Sequence, residues 1–351
     1  MTEILIPRFY TSRDSGAPVL NSNNRMSLLN VLVACLADGY GSGADEKESL
    51  GWEKAWNSAG TRVVLSPQYG NGFPLLVYGD EGGTNNSHNT VRGLITFDGW
   101  DGDTLVGNPD LFGDGWVRKA HVTSVGDLDW MLIGTSRCFY FYSSYTGAGG
   151  DFLDSVFSAP VTHQTYLWRA APWFYGDLSG FPNAQWNTLL AISTATATTN
   201  PGERHAGQTS YLGSGTSIIG KRLAASSSGL TLSFEADNRA LFASPSSSLQ
   251  AYSGVGLPSY PPQIGEIMLS PIGISDRASP ANYGIVGFLP GIFEASHDLT
   301  DHQITGFNYM EEFEIGGNNF LLMPFGYPDN TNVGGGRCRG AVLMQTDAPW
   351  Y

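Results

Sequence analysis

Short runs rich in β-branched and aromatic residues, broken about every ten residues by Gly, Asp, Asn or Pro, constrain this chain most. "TRVVLS" (Thr61–Ser66) and "FPLLVYG" (Phe73–Gly79) flank the turn-like "PQYGNG". "TVRGLITFDG", "GWVRKAHVTS", "DLDWMLIG" and "CFYFYSSY" follow, and later "NTLLAIS", "GLTLSFEA", "IGEIMLSPIGIS", "YGIVGFLPGIF", "NNFLLMPFG" and "RGAVLMQT". Over about residues 61–145 the runs recur about every ten residues with turn signals between them, which suggests an antiparallel meander. No stretch repeats at a fixed period, so neither a propeller nor a solenoid is implied.

One segment departs from this pattern. Within "APVLNSNNRMSLLNVLVACLADGYG" (Ala17–Gly41), Leu28, Leu29, Leu32, Cys35 and Leu36 recur at helical spacing. The polar Asn21–Asn24 supplies a cap, and Asp38-Gly39 a stop in which the glycine takes a left-handed conformation. The spacing predicts a helix from about Asn24 to Ala37. Val31, Val33 and Ala34 fill its other faces, so it is expected to be buried on more than one side. The expected fold class is mainly β with some α (α+β): an N-terminal helix packed on an antiparallel sheet, followed by further antiparallel β structure. Residues 1–20 read as an N-terminal arm and 21–150 as the helix plus an antiparallel β domain. "TGAGGDFLDSVFSAPVTHQ" reads as a connection. Residues 165–351 read as a second β-rich domain, or a continuation of the same sheet system. The polar "TATATTNPGERHAGQTSYLGSGTS" reads as an exposed loop.

Charge limits the partners. The net charge is −14, and the four lysines, Lys47, Lys54, Lys119 and Lys221, are scattered. Phosphate-backbone binding needs clustered Lys or Arg, so no nucleic-acid partner is expected. No apolar run approaches the roughly 18 residues a membrane span requires, and "MTEILIPRFYTSRDSG" lacks the apolar core of a secretory signal. Cys35, Cys138 and Cys338 are too widely spaced for a zinc site and odd in number; buried reduced thiols are the expectation.

Two clusters have the composition of cation sites without the spacing of one. "HDLTDH" places His297, Asp298, Asp301 and His302 together, but its histidines are five apart rather than the four that puts both on one helical face. The glycine-rich loop "DGWDGDTLVGNPD" carries Asp98, Asp101, Asp103 and Asp110, and departs from the ligand positions of a calcium loop. A polar turn and a solvated loop with Asx-turns are the ordinary readings. No G-x-S-x-G elbow occurs, "GSGTS" lies in polar low-complexity sequence, and "MEEFE" offers carboxylates without an identifiable acid and base. No catalytic residue, cofactor or metal ligand is therefore assigned, and the chain is not expected to be an enzyme. Exposed aromatics in "CFYFYSSY" or "WDGD" would suit sugar stacking, although aromatics alternating along a strand more often form core and cross-strand pairs.

The order of several segments adds to this. "SGAPVLNSNNRMSLLNVLVACLADGYGS" precedes "GWEKAWNSAGTRVVLS" and "NGFPLLVYGDEG". "VRGLITF", "WMLIGTSRCFYFYSS", "WFYGDLSGFPNAQWNTLLAIS" and "IVGFLPGIFEASHD" follow. Together, over about residues 15–325, they resemble a family of virion structural, tail-associated proteins of tailed bacteriophages. "TFDGWDGDTLVGNPDLFGDG" and the polar stretch near residue 200 lie outside the shared pattern. The resemblance implies a non-enzymatic virion component made in the host bacterial cytoplasm. Its partners would be other virion proteins and copies of itself, most naturally in the tail, baseplate or fibre region. Capsid decoration or a neck position is the alternative, and a host-glycan-binding module is another. Residues 1–14 are the expected contact arm, since a short terminal arm commonly reaches a neighbour in assemblies.

Overall fold

The computed structural model describes residues 2–56, 60–70, 74–80, 88–94, 98–101, 104–106, 111–119, 126–143, 173–179, 186–191, 218–224, 240–243, 269–276, 284–295, 312–324 and 341–351. In chain order, strands β1 (Arg8–Thr11) and β2 (Leu20–Asn21) precede helix α1 (Arg25–Val33). Then come β3 (Glu53–Trp56), β4 (Arg62–Ser66), β5 (Leu75–Tyr78), β6 (His88–Leu94), β7 (Trp100–Asp101), β8 (Thr104–Leu105) and β9 (Leu111–Arg118). β10 (Asp127–Leu128), β11 (Trp130–Gly134), β12 (Cys138–Ser143), β13 (Trp173–Asp177), β14 (Trp186–Ala191) and β15 (Ile218–Ala224) follow. The last are β16 (Ala240–Ala243), β17 (Leu269–Asp276), β18 (Gly284–Ala295), β19 (Glu312–Ile315), β20 (Asn318–Pro324) and β21 (Ala341–Gln345).

The fold is mainly antiparallel β with one short helix. A five-stranded sheet has the order β3-β4-β5-β6-β9, and a twelve-stranded sheet runs β1-β11-β12-β13-β14-β15-β16-β17-β18-β21-β20-β19. The large sheet combines strands from residues 1–150 with strands from residues 165–351, and within it β16 links β15 to β17, through Ala240–Leu241 on the one and Phe242–Ala243 on the other.

The helix begins where Asn24, in an extended conformation, accepts a hydrogen bond from the Met26 amide through Oδ1. Its α-turns stop at Val33, four residues short of the expected Ala37, and the chain continues as a wider π-turn over Ala34–Asp38. There the Gly39 amide reaches back five residues to the Ala34 carbonyl, at 2.8 Å. The carbonyls of Cys35 and Leu36 accept instead from the amides of Leu50 and Trp52, at 2.9 and 2.8 Å. The returning chain thus takes over two orphan carbonyls of the helix end. Gly39 has φ 80° and ψ 176°, a positive φ with an extended ψ rather than the expected left-handed cap. A Cβ there would lie 2.6 Å from the Lys47 carbonyl oxygen, so only glycine fits.

The helix lies between the two sheets. Leu28, Leu29, Val31, Leu32, Val33, Cys35 and Leu36 share one core with Val63, Leu65, Leu75, Val77 and Val91 of the small sheet, and with Tyr10, Trp130, Leu132, Phe139, Phe141 and Tyr175 of the large one. Burial on more than one side, as the sequence suggested, follows from this position. The strands' period of two sends Val64, Leu76, Tyr78 and Leu94 to the opposite face of the small sheet, where they form a second apolar group.

The large sheet doubles back on itself. Backbone amides of Ser179 and Phe288 exchange hydrogen bonds of 2.9 Å, which sets β18 beside the end of β13. The Tyr140 hydroxyl donates to the Pro290 carbonyl at 2.9 Å. Trp350 closes over the same place, seated on Gly291, where an added Cβ would meet the indole at 2.1 Å.

Part of the arm expected over residues 1–20 pairs with the rest of the chain. Arg8–Thr11 is an edge strand paired with Met131–Gly134, and Tyr10 is buried. Ile4 exchanges hydrogen bonds with Ser136, Arg137 pairs with Glu3 at 2.6 Å, and the Trp350 amide donates to Leu5. Alternation in "RFYT" is too short to see in sequence, and its partner strand lies more than a hundred residues away.

Candidate functional site

Of the two clusters weighed from sequence as cation sites, only Asp98 and Asp101 fall among the described residues. Asp98 and Asp101 are exposed; Asp101 faces Thr104 across the small β7–β8 ladder. Asp103, Asp110, His297, Asp298, Asp301 and His302 lie outside the described residues, as do "GSGTS" and Cys338. Among the described residues, no three His, Cys, Asp or Glu side chains group closely enough to hold a metal ion. From "MEEFE", Glu312 and Glu314 lie exposed on β19, an edge of the large sheet.

The aromatic strand is core rather than a stacking surface. Phe139, Tyr140, Phe141 and Tyr142 are all fully buried, which removes "CFYF" and the following Tyr as a sugar platform. Phe139 and Phe141 meet the helix side, while Tyr140 packs at 4.9 Å from Phe174 and 5.6 Å from Trp350. Neither described thiol is a poised nucleophile. Burial pushes Cys35 well up, with Asp14 adding to the effect, and pushes Cys138 up to about 12.

One open groove, of about 650 Å³, runs along the outer edge of β1. Its walls are Arg8, Phe9 and Tyr10 on one side and Gly43 with Glu46–Glu48 on the other. Its cations are engaged: Arg8 donates to the Glu48 carboxylate and the Ser49 carbonyl, at 2.9 and 2.8 Å, and Lys47 lies 3.5 Å from Asp14. Tyr10 donates to the Glu48 carbonyl at 2.7 Å.

A polar nest at the helix N-terminus was not legible in the sequence. Ser27 Oγ accepts from the Asn21 amide, and its single proton lies within reach of the Asn21 and Asn24 carbonyls. Asn89 of β6, fully buried, donates to the carbonyls of Arg25 and Tyr78 at 2.7 and 2.9 Å. Lys119, directly after β9, is buried completely. Its Nζ donates to the Asn24 carbonyl and lies 3.3 Å from Ser27 Oγ, while its own carbonyl accepts from Ser143 of β12. Burial, aided by the Arg25 charge, lowers this amine to about 7. In "VRKAHV" nothing distinguishes this lysine from a surface one.

Compared with models of known protein families and with curated proteins, the chain matches none.

Proposed function

We propose that this protein is a non-enzymatic structural component of a tailed-phage virion, in the tail, baseplate or fibre region, acting through protein–protein interfaces in a symmetric assembly. One observation carries the reading: segments whose order resembles the phage family meet in a single core. "LLNVLVACL", "GW", "RVVL", "LLVY", "WMLIG", "CFYFY" and "WFYGD" all place side chains in the cluster around α1. A shared order of segments built into one core is what a common scaffold requires; surface motifs alone would not supply it. The β1 edge and its groove supply a surface on which a neighbouring virion protein can dock.

Quantitative mass spectrometry of purified phage particles, calibrated against the major capsid protein, tests this. A few to a few dozen copies per particle supports a tail, baseplate or fibre position. Hundreds would move the protein to capsid decoration or a tube lining, and absence from clean particles would overturn the virion reading.

A further inference from the structure

We propose that Lys119 is a proton-controlled latch on helix α1: as the uncharged amine it fastens the end of β9 to the helix N-terminus, and on taking a proton from solvent it lets go. The geometry of the nest favours the uncharged form in three ways. First, an amine has two N–H donors, and the described residues offer two acceptors, the Asn24 carbonyl and Ser27 Oγ. An ammonium has three donors and would carry a full charge into a site with no exposure. Second, the nest lies at the first turn of α1, the end at which the aligned peptide dipoles are positive. Third, the charged group acting on Lys119 among the described residues is another cation, Arg25 of the helix. The remaining neighbours, Asn24 and Ser27 from the helix and Ser143 from β12, are uncharged. Protonation therefore favours an opened state in which the ammonium reaches water. Ser27 would lose one partner and the end of β9 its tie to the helix.

The sign follows from linkage. An opened Lys119 keeps the ordinary lysine pKa near 10.5, whereas the closed one titrates at about 7. Between these values the opened state holds the extra proton, so closure strengthens as pH rises, by up to about tenfold per pH unit. Below about pH 7 both states are protonated and the gain vanishes.

Two measurements decide it. In ¹³C NMR of the lysine Cε groups of the whole protein, one of the four lysines should titrate near neutrality, and its signal should be missing in Lys119→Met. In hydrogen exchange corrected for intrinsic rate, the amides of Ser27 and Leu28 should gain protection from pH 7 to pH 9, by up to about a hundredfold. In Lys119→Met the same amides should show no such slope. All four lysines titrating above pH 10, or an unchanged slope in Lys119→Met, would overturn the latch. If Lys119→Met does not fold, the titration of the unaltered protein decides alone.

Discussion

Strand β12 has two buried faces, and they are built differently. Toward the helix, Phe139 and Phe141 meet Trp52, Trp130, Tyr175 and the leucines of α1. The rings of Trp130 and Phe141 stack at 6.4 Å, and Trp52 meets Phe139 edge-on at 5.7 Å. On the opposite face lie Cys138, Tyr140 and Tyr142, covered by the returning end of the same sheet and by Trp350. The first face is sealed chiefly by apolar burial, with the helix as a plug, and the Trp130 indole and Tyr175 hydroxyl donate to the carbonyls of Pro18 and Pro74. The second is closed by distant chain coming back, and hydroxyls and indoles specify where it lands. Apolar area sets how strongly a layer holds, whereas hydrogen bonds between distant segments set its register.

Breaking the helix face has the largest expected effect. Leu32 is fully buried on α1, and Leu32→Asp would place an unpaired carboxylate between two sheets. The cost is on the order of 5 kcal/mol, comparable with the whole stability of many domains. Loss of soluble protein, or of a cooperative melt, is expected; a variant as heat-stable as the parent would show that the helix is not a plug. The next effect compares the faces directly. Trp130→Ala and Trp350→Ala each remove a large buried ring, at about 3–5 kcal/mol. Trp130 is completely enclosed and donates to the Pro18 carbonyl, whereas Trp350 retains 4% exposure at the rim. Urea unfolding should therefore place Trp130→Ala at the upper end of that range and Trp350→Ala at the lower. Trp350→Ala should also loosen the N-terminal segment indirectly, because the buried indole seats the chain whose backbone amide donates to the Leu5 carbonyl.

The two faces also differ in how much of them could be read from the residues. Helical spacing of Leu28, Leu29, Leu32, Cys35 and Leu36 predicts the plug, and β-rich runs predict β4, β5, β11, β12, β18, β20 and β21. These are local signals, because burial imposes a period on neighbouring residues. The π-turn at Ala34–Asp38 was hidden, because it depends on Leu50 and Trp52 taking the freed carbonyls. Strand β1 was hidden too, since four residues after a proline carry no visible alternation. The Tyr140 contact with Pro290 spans 150 residues, and no local pattern encodes a meeting at that separation. The candidate functional features followed the same rule. The β1 groove and the Lys119 nest join segments far apart in sequence, whereas the clusters that looked chemical, such as Asp98 and Asp101, were neighbours in sequence and lie exposed.

The smallest expected effects separate two phenols on the same face of β12. Tyr140 and Tyr142 are both fully buried, and burial raises both phenol pKa values far above the ordinary range, so each carries its proton. The Tyr140 hydroxyl donates to Pro290, whereas the Tyr142 hydroxyl is buried without a hydrogen-bond partner among the described residues. Tyr140→Phe removes one good bond and strands a carbonyl, so it should cost about 1 kcal/mol. Tyr142→Phe removes a hydroxyl that was desolvated with no return, so it should be neutral or stabilising, by up to about 1 kcal/mol. Equal losses in the two variants, measured by urea unfolding at one pH, would mean that Pro290 does not set the landing point of the returning sheet. A loss confined to Tyr140→Phe would place register control of the second face in that single hydroxyl.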